Sequence, residues 1–204
     1  MKKFLLAALL CIGICVPARA EFHWGPTAGV NISTYDFKQD LLTIDNSTGY
    51  GVGVLGEMMF PGIGLGLNFG LEYQMHGASI HFGEKKIWAT DGIGTETSQL
   101  HTLRIPINLR FKYTRLNGIE NKFAPFVYAG PVFALTLGHN DVKPLEYSHG
   151  CFGVQCGLGF ELLKRFQVSA GYYWDLTYEV RTIKLSNYSA KAQGWNFSLT
   201  YFIK

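Results

Sequence analysis

Residues 63–76 read IGLGLNFGLEYQMH, and this stretch alternates strictly between apolar side chains and small or polar ones. Every odd position from Ile63 to Met75 is apolar, whereas the even positions carry only Gly, Asn, Glu, Gln and His. A period of two is typical of a β-strand with two different faces. The run is also more than twice the usual strand length of about five or six residues. It predicts a long strand with one wholly apolar face.

Seven other segments of the chain have the same character. Those around 103–113, 166–180 and 195–203 alternate clearly, whereas 22–35, 50–60 and 152–162 do so more weakly. Residues 122–138 are extended and apolar, but the sequence does not assign their two faces. Strands of nine or more residues with one apolar face fit a tilted crossing of a bilayer. The sequence therefore predicts an all-β fold, an eight-stranded antiparallel up-and-down transmembrane β-barrel.

The connections between these strands differ in length in a regular way. The expected connections are 36–49, 61–62, 79–99, 114–121, 139–148, 163–165 and 181–191. Long loops alternate with shorter turns, as in outer-membrane barrels with long extracellular loops and short periplasmic turns. This pattern places both termini on the periplasmic side. Pairing of the first strand with the last would leave no open edge in the bilayer.

A soluble barrel of the lipocalin type is the alternative, with its apolar face inward and its polar face in water. Two features argue against it. The polar faces are rich in Gly, Asn, Ser and Thr rather than in charges, which suits a narrow interior. The apolar faces carry bulky aromatic residues near the strand ends, as membrane-interface girdles do.

The first twenty residues are predicted to be a cleaved signal peptide, which leaves residues 21–204 as the barrel domain. Lys2 and Lys3 precede an apolar run of residues 4–16, and Ala18-Arg19-Ala20 provides a small-x-small cleavage site. The chain has 18 Lys and Arg against 15 Asp and Glu, and three of the basic residues lie in this segment. The remaining chain is neutral and has no basic tract, which excludes nucleic acid as a partner.

Charged residues on the polar faces should point into the lumen. Eight strands enclose a space that side chains fill, so a diffusion pore is not expected. Buried charges persist when they are paired, and we expect two layers of ion pairs across the lumen, either as a structural plug or as a gated ion path. The lower layer is Glu57, Arg110, Lys112 and Glu161, and the upper layer is Glu72, Arg104 and Asp175.

Two groups of residues are candidates at the extracellular side. The longest loop, 79–99, carries Lys85, Lys86 and Trp88, and these are the first candidates for a contact surface. Five histidines lie in or beside the long loops: His76, His81, His101, His139 and His149. Imidazoles on one rim are weak candidates for metal or heme binding or for pH sensing, but no pair has a strong ligand spacing. No cofactor is therefore predicted, and a metal site is not assigned.

Two cysteines remain after the signal peptide. Cys151 and Cys156 are five residues apart, which in a strand is roughly 17 Å and places their side chains on opposite faces. The spacing argues against a disulfide but leaves their state open. An enzyme that modifies lipids at the rim is one alternative function, with Ser148, His149, His139 and Asp141 as the available residue types. They match no acyl-transfer or lipase motif, so the prediction is a protein that is not an enzyme.

Several segments of the chain resemble the PorT-like outer membrane β-barrel proteins of the Bacteroidetes group. The most specific are Leu71-Glu72-Tyr73 leading into Gly77-Ala78, Arg104-Ile105-Pro106, and Tyr128-Ala129-Gly130-Pro131. The resemblance implies an outer-membrane barrel of a Gram-negative bacterium. Because the namesake works in protein secretion, it also implies a possible accessory role in export. The sequence itself predicts a monomer with a structural or surface-interaction role, in contact with lipid and open to a protein partner.

Overall fold

The computed structural model describes residues 21–38, 42–60, 64–84, 86–89, 92–113, 122–183 and 188–203, so the predicted signal peptide lies outside the described residues. The strands are β1 Glu21–Phe37, β2 Ile44–Met59, β3 Leu65–His81, β4 Thr95–Lys112, β5 Phe123–His139, β6 Leu145–Tyr147, β7 Gly150–Leu162, β8 Phe166–Asp175, β9 Val180–Thr182 and β10 Ser189–Tyr201. A 3-10 turn, Phe82–Glu84, and a short helix α1, Lys86–Ala89, lie between β3 and β4. None of the described helices has the length and apolarity of a membrane span.

Eight of these strands close into a barrel, as the sequence predicts. Their order is β1-β2-β3-β4-β5-β7-β8-β10, every neighbouring pair is antiparallel, and β1 also pairs with β10. This closing pair runs from Thr27 opposite Thr200 to Phe37 opposite Ala190. The short strands β9 and β6 extend the sheet beyond the upper part of β10. The barrel proper therefore has no open edge.

The apolar faces of the barrel strands point outward. On β1, Val30 is 52% exposed and Ile32 is 41% exposed, whereas Asn31 between them is 1% exposed. This is the reverse of a lipocalin-type barrel. From Phe22 to Ile32 the strand makes ten rises of about 3.3 Å, and a tilt of about 40° gives an apolar band roughly 25 Å tall. That height matches the hydrocarbon layer of an outer membrane.

Strand β5, whose faces the sequence leaves unassigned, points its even positions into the lumen. Phe126 and Val132 are buried there, while Val127 and Leu135 are exposed on the outside. The apolar lumen side of β5 packs over glycine and arginine: a Cβ at Gly159 would lie 2.5 Å from Phe126 Cζ, and the Arg110 guanidinium stacks on the same ring. Tyr128 fills a hollow over two glycines: a Cβ at Gly157 would lie 2.5 Å from its Cζ, and one at Gly171 would lie 2.3 Å from its hydroxyl oxygen.

The two ends of the barrel are built differently. At the turn end, residues 60–64, 113–122 and 163–165 connect the strands, and the described ends of the chain lie side by side, with Ile203 N donating to Trp24 O at 2.7 Å. The four longer connections meet at the opposite, loop end. Strand β8 ends at Asp175 rather than at residue 180, because Leu176 and Thr177 turn aside and donate their N–H groups to Phe152 O. Strands β1 to β4 reach further into the loops than predicted.

An apolar core at the loop end explains why strands β1 to β4 are longer than predicted. Beyond the membrane band the side chains that point inward become apolar, and we call this set the loop-end core. It consists of Tyr35, Phe37, Leu42, Ala78, Ile80, Phe82, Trp88, Leu100, Val142, Leu145, Tyr173, Val180, Tyr188, Ala190 and Ala192. Strand β1 continues five residues past Ile32, or roughly 13 Å along the barrel axis. The loop end is thus a folded head and not a set of separate loops.

Candidate functional site

Four charged side chains form a layer across the turn end of the lumen. Arg110 and Lys112 come from β4, Glu57 from β2 and Glu161 from β7, and all four alternate inward on their strands. Arg110 Nη1 lies 3.0 Å from Glu57 Oε2, and Lys112 Nζ lies 2.5 Å from Glu57 Oε1 and 2.7 Å from Glu161 Oε2. Arg110 Nη2 is 3.9 Å from Glu161 Oε2. The structure therefore brings the predicted lower layer together as ion pairs.

Arg110 is the centre of this layer. Its side chain has no exposed surface, and its Nη1 donates to Gln167 Oε1 at 2.6 Å. The guanidinium also stacks over the Phe126 ring, with Cζ 3.6 Å from the ring centroid. An arginine offers a planar fork of donors that can hold several acceptors at once. This single side chain therefore ties β2, β5, β7 and β8 to β4 across the lumen.

The middle of the lumen is narrow and polar. One cavity there has a volume of about 30 Å³ and is bordered by Asn68, Glu72, Asn108, Gln155 and Asn196, among others. That volume holds about one water molecule. Gln155 Nε2 donates to Asn108 Oδ1 at 3.1 Å. The glycine, asparagine and serine residues of the polar faces thus line a filled interior.

The upper layer predicted from the sequence is not a set of direct ion pairs. Arg104 Nη1 donates to Gln74 Oε1 at 2.5 Å, and its Cζ lies 4.1 Å from the centroid of the Tyr173 ring. Among the described residues, neither Glu72 nor Asp175 makes an ion pair with it within 4.0 Å. An amide oxygen and an aromatic face satisfy this guanidinium instead, as both commonly do.

Asp175 belongs to a different cluster at the loop end of the lumen. Cys151 Sγ lies 3.4 Å from Asp175 Oδ2 and 3.9 Å from Glu179 Oε1. His76 Nε2 lies 3.0 Å from Glu179 Oε2, and both of these side chains are almost fully buried. We call His76, Cys151, Asp175 and Glu179 the upper cluster.

Glu179 lies in the connection between β8 and β9, beyond the barrel strands. Burial alone would raise the pKa of its carboxyl, but His76, followed by Arg104, outweighs burial and holds that pKa below its ordinary value. The Glu179 carboxyl is therefore negatively charged at neutral pH. Sequence reasoning did not select Glu179, although it shares the odd, polar parity of Asp175 in the segment 166–180.

The five predicted rim histidines do not converge. His76 is buried in the upper cluster, whereas His81 contacts Asp45 at 2.8 Å. His101 Nδ1 lies 2.6 Å from the Tyr73 hydroxyl on the outer wall, His139 stacks on Tyr147 at 4.1 Å, and His149 is exposed. A shared histidine site for metal or heme does not form among them.

The predicted contact surface of the longest loop is only partly described. Trp88 is 1% exposed and packs edge-on against Phe82 in the loop-end core. The prediction that it is a surface contact is therefore wrong, because the head has an apolar interior in which an indole is more stable than in water. Lys85 lies outside the described residues, and Lys86 is described only as the start of α1.

A cavity opens between three of the loops at the loop end. Its volume is about 440 Å³, and its walls include Trp88, Ile93, Glu96, Lys143 and Ile183. This size falls within the range of small-molecule sites. The cavity combines apolar walls with charges of both signs.

The residues considered for catalysis at the rim make separate contacts. Ser148 Oγ donates to Gly150 O at 3.0 Å, and His139 Nδ1 is 4.0 Å from the fully exposed Asp141 carboxylate. Cys151 and Cys156 are both free thiols. Cys151 faces the lumen and Cys156 the outside, as their strand spacing predicts.

Comparisons with known proteins give a consistent fold. The model of the family described as "Outer membrane protein beta-barrel domain" matches residues 4–202. The outer membrane protein OprG from Pseudomonas aeruginosa is similar in structure at 11% identity, with a TM-score of 0.55 over 89% of this chain and 94% of that chain. At that identity the likeness concerns the fold alone.

Two further solved structures are more distant. Ail of Yersinia pestis, in complex with a heparin analogue, has 11% identity and a TM-score of 0.47 over 90% of this chain and 99% of that chain. The outer membrane enzyme PagL has 13% identity and a TM-score of 0.46 over 85% of this chain and 98% of that chain. No curated protein matches the sequence significantly.

Proposed function

The chain belongs to the outer membrane protein beta-barrel domain family, and from this premise we propose that it is a surface-displayed binding platform. In this proposal a closed, monomeric barrel anchors a folded head in the bacterial outer membrane, and the head binds a partner without catalysing a reaction. The apolar band contacts the membrane lipid.

The loop-end core is the observation that carries this proposal. Connections that merely join strands would be short, since turns of two to five residues are enough for antiparallel neighbours. Here Phe82, Trp88, Val142 and Leu145 from two connections pack against the extended strands. Burying such side chains stabilises one conformation of the head. A fixed surface binds a partner with a smaller entropic cost than mobile loops do.

The filled lumen supports a role at the surface and not in passive transport. Arg110 and Glu57 close the turn end, and the loop-end core closes the other end. Small solutes would have to break both the buried ion pairs and the apolar core in order to pass. We therefore assign no channel activity to this barrel.

The cavity between the loops is the most suitable binding place on the head. Ile93 and Ile183 provide apolar surface, while Glu96, Asp141 and Lys143 provide charges of both signs. An amphipathic group with a small polar end would match this combination. The cavity lies at the end that the proposal places outside the cell.

Conductance in a planar lipid bilayer tests the closed platform. Protein that migrates differently on a gel before and after boiling has folded, and such protein should insert without opening a channel. Discrete, porin-like conductance steps from the wild-type chain would contradict the proposal. The matched variant Arg110→Ala keeps the loop-end core and should also remain silent, because the second seal is intact.

The orientation is tested separately with epitope tags. A tag inserted at Gly92, in the turn after α1, should be detected on intact cells, whereas a tag between residues 114 and 120 should be detected only after permeabilisation. The turn-end position of the Trp24–Ile203 bridge supports this orientation, with residues 1–20 removed as a signal peptide in this proposal. The opposite labelling pattern would place the head on the periplasmic side and contradict the proposed orientation.

An accessory role in protein export is a second candidate, and the PorT-like resemblance favours it. In that case the partner would contact the turn end from the periplasm. Deletion of the gene should then cause exported proteins to accumulate in the periplasm, and an unchanged secreted-protein profile would remove this candidate. A lipid-modifying activity would instead require His139 or His149 and would alter the lipid profile.

A further inference from the structure

The upper cluster has the spacing of a metal-binding site. The ligand atoms of Cys151, Asp175 and Glu179 all lie within 4.8 Å of one another. With bond lengths of roughly 2.3 Å for sulfur and 2.0 Å for oxygen, a tetrahedral zinc ion separates a sulfur ligand from an oxygen ligand by about 3.5 Å. The two observed sulfur–oxygen distances are 3.4 Å and 3.9 Å. The two sulfur–oxygen distances therefore lie within about 0.5 Å of that value, and the two carboxylate oxygens lie no more than 4.8 Å apart.

The Cys151 thiol lies near two carboxylates but has only one proton to donate, and Glu179 Oε1 also lies 3.1 Å from His76 Nε2. Cys151 has a single S–H proton, and two carboxylate oxygens lie around its sulfur. The proton can be donated to Asp175 or to Glu179 but not to both. A divalent ion in place of that proton would contact all three groups at once. Binding would release the thiol proton to solvent and form one metal–sulfur bond and two metal–oxygen bonds.

Two carboxylates beside the thiol suit an added cation. Asp175 Oδ2 and Glu179 Oε1 lie 3.4 Å and 3.9 Å from Cys151 Sγ. Arg104 is directed to Gln74 and the Tyr173 ring, so its guanidinium does not occupy the space between the carboxylates and the sulfur.

The neighbouring side chains already hold the ligands in place. Asp175 ends β8, where the ladder sets it opposite Gly153 on β7, two residues from Cys151. His76 Nε2 holds Glu179 from the side of β3 at 3.0 Å. The other ring nitrogen of His76, Nδ1, is buried without a hydrogen-bond partner among the described residues. Partners of this kind orient ligands in metal sites.

We propose that Cys151, Asp175 and Glu179 bind a thiophilic divalent cation, Zn²⁺ above all, at the loop end of the lumen. A thiolate together with two carboxylates selects zinc or cadmium over magnesium and calcium, which prefer oxygen ligands alone. His76 is a positioning residue for Glu179. Water would complete the coordination, so the ion staples β7 and β8 to the connection that leads into the head.

Titration of the folded, metal-free protein with Co²⁺, followed by displacement with Zn²⁺, tests the site directly. A sulfur-to-cobalt charge-transfer band in the near ultraviolet should appear with one ion per chain and disappear when Zn²⁺ is added. The variant Cys151→Ser should lose the band and bind Zn²⁺ at least tenfold more weakly. The variant Cys156→Ser is the matched control, because it removes the thiol on the outer wall, and it should behave like the wild type.

Two controls distinguish loss of the metal site from misfolding of the variant. The variant Asp175→Asn keeps the thiol and the shape of the side chain, and in it the affinity for Zn²⁺ should also fall at least tenfold. Each variant is scored only after the gel-shift assay has shown a folded barrel. Wild-type protein without a cobalt–thiolate band, or equal zinc affinity in wild type and Cys151→Ser, would overturn the proposal. Loss of the band in Cys156→Ser alone would place the site elsewhere.

Discussion

The substitution Arg110→Met removes a fully buried guanidinium from the turn end while keeping a side chain of similar length. Glu57, which is 1% exposed, then retains Lys112 as its ion-pair partner, and Glu161 likewise depends on Lys112. The methionine can fill the space over Phe126 but cannot donate to Gln167. The variant therefore tests whether this layer stabilises the barrel or merely fills it.

The expected loss in the free energy of unfolding follows from the buried ion pair that the substitution breaks. Breaking a buried ion pair by removing one partner costs about 3–5 kcal/mol, and we take about 3 kcal/mol because Lys112 still contacts both carboxylates. Loss of the stacking over Phe126 adds about 1 kcal/mol. A total of about 4 kcal/mol corresponds to a roughly thousandfold smaller folding equilibrium constant.

Urea unfolding in lipid vesicles, followed by tryptophan fluorescence, measures this loss. The control Arg181→Met removes an exposed arginine of β9 and should change the free energy of unfolding by less than about 0.5 kcal/mol. The double variant Arg110→Met/Glu57→Gln also removes the excess negative charge, because Lys112 then pairs with Glu161 alone. It should recover more than half of the loss, which a double-mutant cycle quantifies.

An Arg110→Met barrel that unfolds within about 1 kcal/mol of the wild type, a difference of roughly fivefold, would show that this charge layer does not stabilise the fold. If Glu57→Gln gave no recovery, the cost would come from packing and not from the buried charge.

Three other outcomes follow from the described geometry. Gly171→Ala should destabilise the barrel by about 1–3 kcal/mol through overpacking against Tyr128, and Tyr128→Phe should restore part of that loss in the same unfolding assay. Leu163 and Lys164 both have left-handed backbone, with φ of 54° and 59°, so the pair Leu163→Asn/Lys164→Gly should raise the free energy of unfolding by about 1 kcal/mol; a lower value would contradict the turn geometry. Brominated lipids should quench the outward-facing tryptophans but not Trp88, so Trp88→Phe should remove an unquenched component of the emission.

The barrel could be read from the sequence because its two environments impose opposite demands on alternate residues. In β3 the lipid accepts Leu67, Phe69 and Leu71 while the narrow lumen accepts Asn68 and Gly70, and the alternation is visible without a structure. In β5 the lumen side carries Phe126 and Val132, and Phe126 packs over Gly159 and beneath the guanidinium of Arg110. When both faces of a strand are apolar, the sequence does not show which residues point into the lumen. In β5 this is decided by contacts with the neighbouring strands.

The lower charge layer could be predicted from the sequence for a similar reason, whereas the contacts of the upper layer could not. Glu57, Arg110, Lys112 and Glu161 sit at comparable heights on regular strands, so counting from the turns brings them together. Asp175 is the last residue of its strand, and its partners depend on where the chain turns next. Glu179 and His76 meet because residues 176–179 leave the ladder, and a hydrogen bond from Leu176 N to Phe152 O marks that departure. The loop-end core, which buries Trp88, likewise depends on contacts between distant connections.

The pairing of β1 with β10 also has a kinetic consequence. Thr27 and Thr200, whose hydroxyls lie 2.9 Å apart, are separated by 173 residues along the chain. Closing a loop of that length costs about 4–5 kcal/mol of chain entropy before the seam contributes any contact, and contacts between distant residues slow folding. Until the last ten residues have arrived, the growing sheet has two unpaired edges, which hydrocarbon penalises heavily. The barrel therefore cannot close until β10 has been synthesised, because β10 is the closing partner of β1.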